Sequence, residues 1–339
     1  MQSFFIVQRR DFIKQTGIIF SGMIVPLLFF GNSTHSRMKI EKQYDVIIIG
    51  GSYSGLATGM ALCRALRKVL IIDSGNPCNQ QTPHSHNFLT NDGKAPKEIA
   101  GIAKKQVQQY DTVTFLDAFV TTGDKTDSGF EIKTDSGESF TAKKLVFATG
   151  IKDIIPEIPG FAACWGISVL HCPYCHGYEV RYQKTGILAN GDDAYEMASL
   201  ISNWTNDLTI YSNGKSNLSE QQRKKLQQHK ISIVEKEIEL LEHKNGYAER
   251  IIFKDGTNAA LKAMYARLPF VQHSSVPQSL GCEINVEGYI KTDMAQRTTV
   301  PGIFACGDNT TRMRTVANAV AMGTTTGMML NKELIEQTF

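Results

Sequence analysis

Tyr44-Asp45-Val46-Ile47-Ile48-Ile49-Gly50-Gly51-Ser52-Tyr53-Ser54-Gly55 decides the fold. Its first half is a nearly continuous apolar run, the pattern of a strand buried on both faces of a parallel sheet. Its second half is a glycine turn. Residues 56–67 then read as a helix rich in Ala and Leu, and Lys68-Val69-Leu70-Ile71-Ile72-Asp73 as a second buried strand ending in an acid. Strand, turn, helix, strand and acid make a βαβ unit of the dinucleotide-binding kind. In such a unit the first glycine makes the tight turn. The second lets the backbone approach a pyrophosphate, and the third lets helix pack on strand. Gly50, Ser52 and Gly55 hold these positions. Ser52 departs from the pattern, yet it is small and its hydroxyl suits a phosphate oxygen. Asp73, 23 residues after Gly50, stands where an acid accepts hydrogen bonds from ribose hydroxyls.

Working outward, residues 113–147 read as strands and turns, with Asp-Ser-Gly at 127–129 and 135–137. Lys144-Leu145-Val146-Phe147-Ala148-Thr149-Gly150 is another buried strand running into a small-residue turn. Residues 155–160, with Pro156 and Pro159, read as a linker. A second βαβ-like stretch starts at Thr185-Gly186-Ile187-Leu188, with a helix over 194–204 and a strand at Leu208-Thr209-Ile210-Tyr211. Late in the chain Gly302-Ile303-Phe304-Ala305-Cys306-Gly307-Asp308 repeats the strand-into-glycine pattern, and a helix follows over 315–330. The expected fold is α/β, with two Rossmann-like three-layer domains. Residues 43–155 and 280–335 form one, and residues 156–279 form the second, inserted into the first.

The 339 residues, 42% hydrophobic and 20% charged, suit two folded domains. A net charge of +3 without basic blocks argues against a nucleic-acid partner. At the N-terminus, Gln8-Arg9-Arg10-Asp11-Phe12-Ile13-Lys14 has the form of a twin-arginine export signature. The apolar stretch 16–30 is broken by Gly22 and Pro26, which suits a signal core better than a membrane span. Gly31-Asn32-Ser33 offers small residues for cleavage. Residues 1–33 are therefore expected to be a signal, sending the protein to the periplasm. It would touch the membrane only if this segment is retained. Loss of Arg9, Arg10, Asp11 and Lys14 would leave the remainder near neutral.

Seven cysteines at irregular spacing do not form a disulfide scaffold. Cys63 and Cys306 read as small buried hydrophobes. Cys172-Pro173-Tyr174-Cys175-His176 is different, because a Cys-x-x-Cys pair closes as a reversible disulfide. His176 beside it suits proton transfer near neutral pH, or pairing with a thiolate. Cys-x-x-Cys-His is also the attachment signature of c-type haem, but this α/β frame supplies neither space nor axial partner. Zinc would need a second ligand pair that the sequence lacks.

With these motifs in order, the chain resembles the thioredoxin-reductase-like branch of the flavin-dependent disulfide oxidoreductases, over roughly residues 43–335. The resemblance rests on Gly50-Gly51-x-x-x-Gly55, Asp73, Ala148-Thr149-Gly150, Cys172-x-x-Cys175 and the run ending Gly307-Asp308. It implies an FAD site built from Gly50, Ser52, Gly55, Asp73, Thr149, Gly150, Gly307 and Asp308. The helix start near Val316 and Ala317 would aim backbone N–H groups at the flavin. It also implies that Cys175 faces the flavin, that Cys172 exchanges with substrate, and that the protein is a homodimer. His84-Ser85-His86-Asn87-Phe88-Leu89-Thr90 resembles a segment lining the flavin in thiol-oxidising relatives, which makes His86 a cofactor-site residue; an exposed loop is the plainer alternative.

The second fingerprint is damaged. Ala189-Asn190-Gly191-Asp192-Asp193-Ala194 lacks the turn glycine, and Tyr211-Ser212-Asn213-Gly214-Lys215-Ser216 offers one Lys and no Arg for a 2′-phosphate. Export also removes the usual nicotinamide supply. The expected enzyme therefore runs toward oxidation. A small dithiol or protein thiol reduces the Cys172–Cys175 disulfide, and electrons pass through Cys175 to FAD. They leave to dioxygen, giving hydrogen peroxide, or to another acceptor. The run Cys172 to Glu179, Cys-x-x-Cys-His-Gly-Tyr-Glu, is similar to that of dithiol oxidases. Alternatives are an NAD(P)H-fed disulfide reductase and a non-catalytic flavin or thiol-relay protein.

Overall fold

The computed structural model describes residues 43–339. The expected signal at 1–33 lies outside them. The chain opens with β1 (Gln43–Ile49), α1 (Tyr53–Arg64), β2 (Val69–Asp73), α2 (Pro96–Val107) and β3 (Val113–Asp117). An antiparallel run follows: β4 (Val120–Thr126), β5 (Gly129–Thr134) and β6 (Ser139–Phe147). Then come β7 (Ile151–Asp153), α3 (Phe161–Cys164), β8 (Val169–Leu170) and α4 (Pro173–His176). The second nucleotide-type unit holds β9 (Thr185–Leu188), α5 (Gly191–Ile201), β10 (Leu208–Tyr211), α6 (Glu220–Gln228) and β11 (Ser232–Val234). It continues through β12 (Ile238–Lys244), β13 (Tyr247–Phe253), β14 (Asn258–Ala260) and β15 (Ala263–Ala266). The chain closes with β16 (Phe270–Gln272), α7 (Val276–Ser279), β17 (Ile303–Ala305) and α8 (Val316–Glu336).

The first sheet runs β3-β2-β1-β6-β5-β4. Strand β6 forks: residues 139–142 pair antiparallel with β5, and residues 145–147 pair parallel with β17. The apolar run of β1 is explained by its two faces, since successive side chains alternate. Val46 and Ile48 pack with Leu56 and Leu62 of α1 and Leu330 of α8. Ile47 and Ile49 pack on the other side with Phe130, Ile132 and Phe140. Each of these β1 residues is at most 6% exposed, as a strand covered on both faces must be.

Three glycines let α1 lie close to its neighbours. A Cβ on Gly55 would stand 1.9 Å from the Gly50 carbonyl oxygen. On α8, a Cβ at Gly323 would stand 2.1 Å from the Ser54 carbonyl oxygen, and one at Gly327 2.6 Å from Ala61 Cβ. No side chain fits at these separations, so the helix pair depends on them.

The second sheet is parallel, β11-β10-β9-β15-β8, with the β12-β13-β14 meander beside it. Strands β7 and β16 pair antiparallel, Asp153 opposite Phe270, and carry the chain out of the first domain and back. This corrects the expected boundary after residue 279. Val276 and Leu280 belong to the first core, with Val120 and Ile132, because α7 folds onto β4. The return crossing is therefore at β16. Helices α1 and α5 also begin three residues earlier than their apolar patterns indicate, directly after their glycine turns. Helix α8 runs six residues beyond the expected end.

Candidate active site: a long cavity ending on the cysteine pair

A cavity of about 770 Å³ runs along the C-terminal ends of β1, β2 and β6, where ligands of open parallel sheets bind. One end is the turn between β1 and α1. Gly50 has φ +109°, and a Cβ there would meet the Ala148 carbonyl oxygen at 2.2 Å, so only glycine fits. The Gly51 N–H donates to Asp73 Oδ1 (3.0 Å), tying the turn to the acid at the end of β2. Among the described residues, no side chain caps the N-terminus of α1. Its first amide donors and positive dipole end are thus available to an anion. The cavity continues past Thr149 and Gly150, bends along Asp308, and meets the first turn of α8 through Thr315, Val316 and Ala319.

The far end is chemical. Cys172 and Cys175 form a disulfide across α4, with Cα atoms 5.3 Å apart. Cys175 is 9% exposed and lies on the cavity wall; Cys172 is half-buried and lies off it. The short helix forms because Pro173 pre-sets its first turn and the Cys172 sulfur caps the Cys175 N–H (3.1 Å). Gly177 then lets the chain pass against Trp204, whose Nε1 would lie 2.8 Å from a Cβ there. His176 also lines the cavity. Burial and the neighbouring His86 push its imidazole down to about 4. It is therefore a neutral base at neutral pH.

Of the sequence-chosen residues, the cavity wall gathers Gly50, Ser52, Asp73, His86, Thr149, Gly150, Cys175, His176 and Asp308. Gly55, Gly307 and Ala317 are not on it. Gly55 acts in helix packing, and Gly307 has φ +90° with Ser54 Oγ 2.6 Å from a Cβ position. Ala317 sits one step around the helix from Val316, and the wall of α8 is 315, 316 and 319. His86 reaches the site from a loop that packs on the second domain. Gln81 in the same loop donates to the Trp165 carbonyl.

Sequence reasoning missed a charged cluster at the cavity bend. Arg314 grips Asp153 with two bonds (2.8 and 2.9 Å) and stands 3.7 Å from Asp308 Oδ2. Cys78 donates to the same Asp308 oxygen at 3.7 Å. Burial and Asp308 push the Cys78 thiol up to about 12. Burial raises the Asp308 carboxyl too, against the pull of Arg314. His171, exposed to the cavity and facing the same cluster, is pushed down to about 4 by the enclosing walls and Arg314. These residues are scattered over 236 positions, from 78 to 314, without a local motif, so no spacing in the sequence announces them.

The cradle fits FAD. It offers a glycine turn that backbone can approach, an uncapped helix start, an acid at the end of β2, and apolar walls such as Ile49, Ile72 and Ile151.

The equivalent position in the second domain is closed. Asn190 caps α5 with its own side chain: Oδ1 accepts from Gly191 N–H (2.8 Å) and Asn217 N–H (2.7 Å). Its Nδ2 donates to the Lys215 carbonyl (2.9 Å). The acids of the first turn are also engaged, Asp192 with Gln222 (2.7 Å) and Asp193 with Arg267.

A discontinuous sheet with a glycine cradle, an inserted second parallel sheet and a disulfide on the shared cavity define a two-domain disulfide oxidoreductase. The comparisons agree: residues 44–323 match the pyridine nucleotide-disulphide oxidoreductase family, and the chain belongs to it. It is 33% identical over 277 residues to thioredoxin reductase aclD of Aspergillus oryzae, covering 78% of this chain and 88% of that one. It is 31% identical over 315 residues to thioredoxin reductase tcpT of Claviceps purpurea, covering 88% and 96%. Among solved structures, an oxidoreductase from Agrobacterium tumefaciens superposes with a TM-score of 0.81 at 34% identity, covering 87% and 99%. The protein is thus a thioredoxin-reductase-like enzyme of the FAD type.

Proposed function

We propose that this chain is an exported FAD-dependent thiol oxidase. The observation that carries the reading is the contrast between two helix starts. The N-terminus of α1 is left for a ligand, whereas that of α5 is filled by Asn190. A nicotinamide dinucleotide would have to displace that carboxamide and its three hydrogen bonds. A thiol needs no such site.

In this reading His176 takes a proton from an incoming dithiol. The thiolate attacks Cys172, the sulfur lying off the cavity wall, and Cys175 leaves as thiolate. The second substrate thiol then displaces Cys172. The products are a substrate disulfide and a Cys172/Cys175 dithiol, with two electrons moved. Bound FAD would supply the two-electron acceptor that reoxidises the pair and passes the electrons to dioxygen, giving hydrogen peroxide, or to another acceptor. The chain's own part is to hold Cys175 at the cavity wall, keep His176 neutral, and hold the dinucleotide through Gly50, Ser52, Asp73 and Asp308. Gly55 and Gly307 support that cradle from behind.

The names of the fungal relatives favour a second reading, a disulfide reductase fed by NAD(P)H. One anaerobic experiment separates the two. NADPH is added first and dithiothreitol second, while the visible flavin band is followed. Bleaching by the dithiol alone, with peroxide on admitting air, is expected; rapid bleaching by NADPH would establish the reductase.

Export belongs to the same proposal. It rests on Arg9-Arg10 and the apolar stretch behind them. Cell fractionation of the wild type and of Arg9→Lys/Arg10→Lys tests it, with the variant expected to remain in the cytoplasm. A homodimer is proposed with it, and sedimentation of the purified chain tests that.

A further inference from the structure

Where the cavity wall reaches the cysteine pair, one cluster of ionisable groups bridges the two domains. His86 comes from the loop between β2 and α2, and His176 from α4. Their rings meet edge to face with centroids 6.5 Å apart. On its other side, His86 Nδ1 lies 3.6 Å from Asp92 Oδ2 and 3.6 Å from Glu179 Oε1. Glu179 follows His176 by three residues, so the insertion that carries the disulfide also carries the carboxylate that holds His86. The His84 ring packs 6.4 Å from that of His86. From the remaining elements, His171 faces His176, and the buried Tyr265 of β15 faces Glu179.

We propose that His86 is a positioning residue for the thiol reaction: braced by Glu179 and Asp92, it directs positive charge at His176 and so keeps that imidazole free to accept the substrate proton. The proposal rests on the dithiol reaction assigned above, and it changes the part given to His86 from holding the cofactor to tuning the base. The geometry supplies the reason. Two imidazoles this close cannot both carry a proton cheaply, and the two carboxylates lie against His86. A proton shared by the pair is therefore better placed on His86, against the two carboxylates, than on His176. The depressed titration of His176, with burial and His86 as its causes, agrees. When a thiol gives its proton to His176, repulsion from His86 favours passing that proton on, to water or to the thiolate that leaves.

A charge at this separation is worth between about half a pH unit and two pH units on its neighbour, depending on how strongly water screens it. The test is a titration of His176 by NMR, using the oxidised, FAD-loaded protein labelled at histidine Cε1. The variants are His86→Asn, Glu179→Gln and the double change. His86→Asn is expected to raise the His176 midpoint by about one pH unit, with FAD content unchanged. Glu179→Gln is expected to raise it less, and to add nothing in the His86→Asn background.

The sign for Glu179→Gln is diagnostic. A carboxylate acting directly on His176 would give a lower midpoint when removed; one acting through His86 gives a higher midpoint. An unmoved midpoint in His86→Asn, a fall in Glu179→Gln, or loss of FAD from His86→Asn would overturn the proposal. If His86→Asn fails to fold, the half-exposed Glu179→Gln still decides by its sign. The titration involves no thiol, so failure of dithiothreitol to bleach the wild-type flavin would sink the oxidase reading separately.

Discussion

At the scale of single residues, a cysteine on the cavity wall and one just off it have opposite expected behaviour. Cys78 is exposed, yet its thiol is pushed up to about 12 by burial within the cavity walls and by Asp308. At pH 8 its thiolate fraction is then about a thousand-fold below that of an ordinary thiol. Alkylation by iodoacetamide, read by mass spectrometry, should spare Cys78 and, after reduction, label Cys172 first. The pair itself divides by position. In Cys175→Ser, the off-wall Cys172 should capture oxidised glutathione as a persistent mixed disulfide, because no second thiol resolves it. Cys172→Ser should capture it at least tenfold more slowly, as Cys175 lies 9% exposed against the cavity. Equal capture by both would refute the assignment of roles. The Cys-x-x-Cys-His run was legible in the sequence because its chemistry is local. The Asp153–Arg314–Asp308–Cys78 cluster was not, because only the folded sheet brings its members together.

At the scale of elements, the helix termini carry the argument. Asn190 as the cap of α5 should be worth about 1 kcal/mol, so Asn190→Ala should lower stability by that amount in urea unfolding. The contact of α8 with α1 depends on Gly323 and Gly327. Gly323→Val drives a side chain into the Ser54 backbone and should cost about 3 kcal/mol, the upper end of overpacking. Because Ser54 lies in the first turn beside the cradle, FAD retained on purification should fall with it. Periodicity revealed these helices but set their starts late, since α1 opens Tyr53-Ser54-Gly55 and α5 opens Gly191-Asp192-Asp193, where the glycine and polar residues interrupt the apolar pattern. The boundary after 279 was misplaced for a related reason. Val276-Pro277-Gln278-Ser279 is too short to show which core its apolar side chain joins.

At the scale of the whole molecule, His171 and His176 tie stability to pH. Each imidazole is held down to about 4 in the folded chain, against an ordinary 6.5. Between these values the unfolded chain binds more protons than the folded one, so stability falls as pH drops from about 6.5 towards 4. Above 6.5 these two groups contribute no slope. Thermal melts at pH 7.5 and pH 5 should show the drop, and His171→Asn/His176→Asn should flatten it. An unchanged slope in that variant would place the effect elsewhere. The α/β architecture itself was readable from three buried strands that each end in a glycine turn, at Ile49, Phe147 and Ala305.

The forked strand β6 has a consequence for the order of assembly. Its C-terminal half, Leu145 to Phe147, waits for Ile303 to Ala305, and 158 residues of chain separate the partners. The inserted domain needs nothing beyond residue 272 and can close during synthesis while the first sheet still lacks a strand. Asp308 and the start of α8, which finish the cradle, arrive only after that strand. Ribosome-bound chains halted near residue 300 should therefore resist protease across residues 156–269 while holding no flavin. Cofactor capture becomes the closing event of biosynthesis, and it reports that the last strand has been placed.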